Sequence, residues 1–357
     1  MSSGAAQRKP RLRTMLAGHV VGLWLCAVLI WTLAGCDRST KTDGRDAGAL
    51  AGHAASLGPL RTPQPAAAPS ASYRYPAARR LVAIGDVHGD LAAVRAALRL
   101  AGAIDAEDDW IGAGLVVVQI GDQIDRGDDD RAVLDLLDAL QHKARAAGGA
   151  VHVLNGNHEV LNVLGDFRYV TRAGFEQFSD MAPAAQTTRA VSRYPPDRRG
   201  RAAAFLPGGP YARRLAQNNT TAIVGDTLFA HGGILPGHVS RGLAAINGEM
   251  RRWMRGEAAR PPASALDRDS PVWTRLYSDG QPDERVCATL GEVLSALEVG
   301  RMVVGHTVQQ EGISSACDEH VWRIDVGMAA AYGGRVQVLD IQEDKVRVIS
   351  ARNGGPD

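Results

Sequence analysis

Charge of one sign is what this 357-residue sequence lacks: 40 Lys and Arg against 39 Asp and Glu leave a formal net charge of +1 at pH 7. There is no global field to attract nucleic acid, and no nucleic-acid partner is expected, although local clusters of charge stay open. Cysteine is scarce as well. Cys26, Cys36, Cys287 and Cys317 form no Cys-x-x-Cys pair and no zinc-finger spacing, which excludes a cysteine metal framework. Cys26 falls in an apolar N-terminal run, so Cys287 and Cys317 are the pair that an exported folded region is permitted to join, two buried thiols being the alternative. No repeat of solenoid type is visible. With 45% hydrophobic residues, the chain is not disordered and can bury a substantial core in one large or two small domains.

Arg8, Lys9, Arg11 and Arg13 precede Met15 to Leu33, a run without Asp, Glu, Lys or Arg. Charge followed by an apolar run is the order of an export signal. The run also approaches the roughly 20 residues that cross a bilayer as a helix, so a single-pass anchor is the rival. Leu33-Ala34-Gly35-Cys36 favours the signal, because it resembles a bacterial lipobox whose cysteine becomes lipidated; Asp37 resembles an inner-membrane retention signal. Residues 1–36 are expected to be a signal peptide with lipobox or a membrane anchor. Residues 37–79, rich in Ala, Gly, Ser and Pro, are expected to be a disordered tether. The expected location is the cell envelope, as an inner-membrane-anchored lipoprotein facing the periplasm, with a secreted, periplasmic or single-pass form as alternatives.

Residues 80–352 carry the folded domain. Three strand–loop–helix units open it: Arg80–Ile84 before Gly85-Asp86-Val87-His88-Gly89-Asp90, Leu115–Ile120 before Gly121 to Asp128, and Ala150–Leu154 before Gly156-Asn157-His158-Glu159. Asp90 is placed as a helix N-cap, and Asp128 to Asp130 favour the positive end of the second helix. Units of this kind read as α/β with functional residues at the carboxyl ends of strands. From about 166 to 220 the pattern lapses into an expected cap or insertion. Its arginines, among them Arg168, Arg172, Arg198, Arg199, Arg201, Arg213 and Arg214, read individually as a solvated face, and collectively as a feature that favours phosphorylated substrates. Strands resume before His231-Gly232-Gly233 and Gly305-His306-Thr307, and a closing run of strands ends near Ile349, giving a second sheet expected to face the first.

Asp86, His88, Asp122, Asn157, His231 and His306 thus form one set of oxygen and imidazole donors, a mixture that suits Mn, Fe or Zn better than Ca. Two divalent metal ions bridged by a carboxylate sit about 3.5–4 Å apart and clamp the oxygens of an in-line phosphoryl displacement. Asp122 is the expected bridge. Such ions lower the pKa of bound water from about 15.7 to about 7, so metal-bound hydroxide is the expected nucleophile. His158 is the expected general acid, Asp125 its partner, and Arg126 a bidentate phosphate ligand. His142, His152, His238 and His320 lack a ligand-rich setting and read as structural.

These motifs, from Gly85 to Asp90, Gly121 to Asp128, Gly156 to Glu159, His231 to Gly233 and Gly305 to Thr307, resemble the signature set of the PPP-type metallophosphoesterases, within the calcineurin-like phosphoesterase superfamily. Asn162, Gly165 to Val170, Pro271 to Arg275 and Asp325-Val326-Gly327-Met328 resemble the bacterial-type Shewanella-like protein phosphatases. The resemblance implies an αββα sandwich of two mixed sheets flanked by helices. It implies one metal held by Asp86, His88 and Asp122, and a second by Asp122, Asn157, His231 and His306. Asn155 departs from the eukaryotic pattern, which has a phosphate-binding arginine there; the role is vacant or passes to another residue such as Arg168 or Arg275. Val308 replaces the final histidine of other metallophosphoesterases. The expected activity is phosphomonoester hydrolysis, with a phosphoprotein as the substrate the resemblance implies. A small-molecule phosphoesterase acting on nucleotides, dinucleoside polyphosphates or sugar phosphates is the alternative, and an inactive envelope binding protein the remote one.

Overall fold

The computed structural model describes residues 72–181, 188–343 and 345–351. The export-signal run, Cys26, Cys36 and most of the expected tether lie outside these residues. Strands run Arg74–Tyr75 (β1), Leu81–Ile84 (β2), Val116–Gln119 (β3), Ala150–Val153 (β4), Thr221–Val224 (β5), Thr227–Ala230 (β6), Arg301–Val304 (β7), Ser314–Ala316 (β8), Val321–Arg323 (β9), Gln337–Gln342 (β10) and Lys345–Ser350 (β11). One sheet has the order β11-β10-β2-β3-β4 and the other β1-β5-β6-β7-β9-β8. Both are mixed, with β2, β3 and β4 parallel to one another and β10 antiparallel to β2.

Helices follow at Leu91–Leu100 (α1), Asp130–Ala146 (α2), Asn157–Leu164 (α3), Arg172–Glu176 (α4), Arg199–Phe205 (α5), Pro210–Leu215 (α6), Pro236–Arg241 (α7), Leu243–Met254 (α8), Ala263–Leu266 (α9) and Glu284–Leu297 (α10). The period-2 alternation of strands sorts side chains into layers. Val82 and Ile84 of β2 pack with Val94, Leu98, Val133 and Leu137 of α1 and α2, whereas Leu81 and Ala83 turn to the other sheet. There they meet Phe229 and Val303, while Leu228 and Met302 face α8 and α10. Helix, sheet, sheet and helix therefore stack in that order, as expected, and each fully buried Leu, Ile or Phe in these layers contributes about 1.5–3 kcal/mol. The expected N-cap is present, since Asp90 accepts from the Ala93 amide at 2.9 Å.

Two strands escaped the sequence. Arg74–Tyr75 pairs in parallel with β5, so the ordered chain begins before residue 80 and the end of the expected tether belongs to the sheet. Two residues added to a sheet edge leave no hydrophobic period to detect. Ser314–Ala316 pairs with β9 although serines are weak strand formers, because its partner supplies the ladder.

The expected insertion folds as short helices whose Phe167, Phe175, Phe178, Phe205 and Tyr211 share one core with Val160 and Val163 of α3 and Trp253 of α8. Cys287 on α10 is joined to Cys317 between β8 and β9, with Cα atoms 5.3 Å apart. Among the described residues no helix is long and apolar enough to cross a membrane.

Candidate metal centre

Every expected donor comes to one end of the two sheets. Asp86 and His88 follow β2, Asp122 follows β3, Asn157 and His158 begin α3 directly after β4, and His231 and His306 follow β6 and β7. The turns that deliver them are tight. His88, Asp122, Asp125, Arg126 and His306 all have positive φ, at 42°, 54°, 71°, 68° and 69°. Such backbone strain costs about 1–3 kcal/mol per residue, and its clustering marks a functional site. Gly156 is required here because a Cβ would collide with the Asp122 carboxylate, and Gly305 because one would collide with that of Asp86.

Asp122 is the centre. Its Oδ1 accepts from the His158 amide at 3.0 Å. Its Oδ2 faces three imidazoles, with His231 Nε2 at 3.2 Å and His88 Nε2 and His158 Nε2 each at 3.9 Å. Two buried groups share it: His88, Asp122 and His158, and Asp122, His231 and His306, each with ligand atoms within 4.8 Å of one another. Asp86 adjoins the first group, with Oδ2 3.9 Å from His88 Nε2. Asn157 adjoins the second, with Oδ1 2.9 Å from His231 Nε2. His306 Nε2–H donates to the Trp273 carbonyl at 3.1 Å, which leaves Nδ1 as its free donor atom.

The residues fit divalent cations. Burial, reinforced by Asp325 and then Asp122, pushes the Asp86 carboxyl well above its usual range, a sign of negative charge that lacks a positive partner. Burial pushes His88 down to about 4, and burial with His231 pushes His306 down to about 2, so both imidazoles present lone pairs at neutral pH. His231 Nδ1 is buried without a hydrogen-bond partner. Burial alone would raise the Asp122 carboxyl, but His231 and His158 outweigh it and hold it well below the ordinary carboxylate range.

His158 stands apart from the other histidines. Its Nδ1 donates to Asp125 Oδ2 at 2.8 Å. Burial disfavours its charge, yet Asp122 and Asp125 prevail and its pKa is raised. Arg126 lies beside it, with its guanidinium carbon 4.4 Å from the centre of the Tyr169 ring and 5.3 Å from that of Tyr332. Among the described residues no carboxylate pairs with Arg126, and its Nε is buried without a partner.

Three residues were missed by sequence reasoning. Glu159 accepts from the amides of Gly156 at 2.7 Å and of Asp122 and Gln123 at 2.9 Å, so it staples two motif turns together. Asp325, quoted only as a motif letter, is buried near Asp86 and accepts from the Gly327 amide at 3.0 Å. Arg201 is fully buried and corrects the expectation of a solvated face. A sequence clue existed, since Arg201 sits between Gly200 and the apolar run Ala202 to Phe205.

The two candidate substitute arginines differ. Arg168 is tied to Asp166 with its side chain 66% exposed. Arg275 donates at 2.7 Å to both the His306 carbonyl and Thr307 Oγ1, which places it at the rim of the centre. Asn155 itself turns away, donating to the Leu215 carbonyl of the insertion at 2.9 Å. Three of the histidines read as structural have structural partners: His152 stacks on Tyr75, His238 Nδ1 accepts from the Leu235 amide, and His320 donates to the Cys317 carbonyl.

An αββα sandwich with Asp, Asn and His donors gathered at its strand ends defines a metal-dependent phosphoester hydrolase. The family model described as Calcineurin-like phosphoesterase matches residues 79–310. Shewanella-like protein phosphatase 2 of Arabidopsis thaliana is 40% identical over 78% of this chain and 79% of its own. Shewanella-like protein phosphatase 1 of Plasmodium berghei is 29% identical over 76% and 74%. The solved structure of a cold-active protein tyrosine phosphatase superposes with a TM-score of 0.63 at 26% identity, covering 77% of each chain. The chain belongs to the calcineurin-like phosphoesterases and, within them, to the Shewanella-like protein phosphatases.

Proposed function

We propose that this protein hydrolyses phosphomonoesters on proteins with two divalent ions, Mn, Fe or Zn, at the Asp122 centre. The observation that carries the reading is the membership of Asp122 in both donor groups, so that one carboxylate would serve both ions. Asp86, His88 and Asp122 would hold one ion; Asp122, Asn157, His231 and His306 would hold the other. When bound, the ions supply charge neutralisation and a water of low pKa.

The chain's own residues do the rest. Arg126, unpaired and fixed between Tyr169 and Tyr332, offers two parallel N–H groups to phosphate oxygens. Asp125 holds the His158 imidazole with Nδ1 bonded and Nε2 turned toward Asp122, so Nε2 is the atom that delivers a proton to the leaving oxygen. Tyr169 and Tyr332, the rings beside Arg126, would suit an aryl leaving group. They support phosphotyrosine as the preferred phosphoresidue, in line with the name of the solved neighbour. Metal analysis of the purified chain, coupled to a panel of Ser, Thr and Tyr phosphopeptides beside nucleotides, tests the reading. Two ions per chain and cleavage of phosphopeptides are expected; preference for nucleotides would move the substrate class to small molecules.

We also infer export and N-terminal membrane attachment through Cys36. The charge-then-apolar order and the Leu33-Ala34-Gly35-Cys36 stretch support it, and so does the Cys287–Cys317 bond, since such bonds persist in oxidising compartments. Labelling with a palmitate analogue in cells is expected to mark the wild type and not Cys36→Ser.

A further inference from the structure

Asp125 is fully buried and its carboxylate is fully used. Oδ2 accepts from His158 Nδ1 at 2.8 Å, and Oδ1 accepts from Asn162 Nδ2 and Arg201 Nη2, each at 2.9 Å. Arg201 comes from α5 of the helical insertion, 76 residues away along the chain. Its other two nitrogens are engaged as well: Nε donates to Asn162 Oδ1 at 2.7 Å, and Nη1 donates to the Gly174 carbonyl at 3.0 Å and lies 2.6 Å from Asp130 Oδ2. Asp130 in turn accepts from the Asp125 amide at 2.9 Å through Oδ1. A guanidinium is planar and presents its donors as a rigid fork. The fork here fixes both the plane of the Asp125 carboxylate and the Asn162 amide that shares its oxygen.

We propose that Arg201 is a positioning residue for proton delivery: it orients Asp125, and through Asp125 the His158 imidazole, so that an insertion helix governs an acid carried by the metallophosphoesterase body. The proposal rests on the reading of His158 as the acid. A buried arginine has a second way to matter, which is to dock α5. A docking role alone changes metal content or every substrate alike. A positioning role changes the reaction most where the leaving oxygen most needs a proton.

The geometry predicts a leaving-group signature. Lysine at this position keeps a positive charge between Asp125 and Asp130 but cannot hold Asp125 and Asn162 together. Arg201→Lys and Arg201→Gln, in the full metal-loaded chain, are expected to keep two ions per chain. They are expected to lose kcat on phenyl phosphate by about 10-fold or more beyond any loss on p-nitrophenyl phosphate, whose leaving group needs little acid help. In the His158→Ala background the extra loss disappears, because the path from Arg201 to substrate is already cut. Equal losses on both esters, or an undiminished loss in the double variant, overturn the proposal. Failure of both Arg201 variants to fold assigns the guanidinium to docking and overturns it too. The acid reading fails separately if His158→Ala alone shows no leaving-group dependence.

Discussion

The strand-end turns and the helical insertion handle polar residues in opposite ways. In the turns, Asp86, His88, Asp122, Asn157, His231 and His306 are buried with donor atoms facing a common centre; each sits in a Gly-flanked motif that announces it. In the insertion, arginines such as Arg172, paired with Glu176, and Arg168, paired with Asp166, lie on the surface, while Arg201, drawn from the same basic stretch, is fully buried between two carboxylates. The difference shows that a motif reports chemistry when local backbone delivers the side chain. Composition does not report it when another element must close over it.

The largest expected effect falls on the body. Asp122→Asn removes the charge shared by both donor groups and is expected to lower bound metal at both sites and to abolish phosphatase activity; unchanged metal content by elemental analysis removes Asp122 from the bridging place. Cys287→Ser is expected to leave kcat unaltered while lowering stability, because the closed loop spans a sequence separation of 30. A bond of this kind contributes about 2–4 kcal/mol, readable as a fall in Tm under non-reducing conditions.

Asn155→Ala tests the seam between the two regions. It removes one of two donors to the Leu215 carbonyl, which keeps the Asn218 amide at 3.0 Å, and the loss of one such hydrogen bond costs about 0.5–1.5 kcal/mol. A lower denaturation midpoint with unchanged metal content is expected, and loss of metal would place Asn155 in the centre instead. The smallest effect is a pH dependence far from the site. Burial, then Arg145, pushes His152 from 6.5 down to about 4 in the folded state. The unfolded chain therefore binds a proton through that window while the folded chain does not, and stability falls as pH drops from 6.5 toward 4. His152→Gln is expected to flatten that part of the stability profile, measured by denaturant unfolding.

Much of the fold was legible because periodicity is local. The apolar runs of β2, β3, β4, β6 and β7 ended where the Gly-Asp, Gly-Asn, His-Gly and Gly-His motifs began or lay close by, and α1 started at its expected Asp90 cap. Arg74–Tyr75 was not legible, since its order comes from pairing with Thr221–Val224, far away in sequence. The start of α3 was only partly so: Asn157 and His158 read as loop residues, yet they occupy the first helical turn, where Glu159 ties them to the Asp122 turn.

The sequence by itself determined which side chains could bind metal and deliver a proton, because residue type and glycine spacing fix the donor atoms and permit the turns that carry them. It also permitted a bond between Cys287 and Cys317 without deciding that they meet. Tertiary structure decided which charges leave water. Burying Arg201 is costly unless carboxylates stand ready to receive it, and Asp125 and Asp130 come to it only when the insertion packs on α3 and the start of α2. Desolvation and partner geometry belong to the assembled fold, and they made one arginine of a basic stretch part of the site and left its neighbours in solvent.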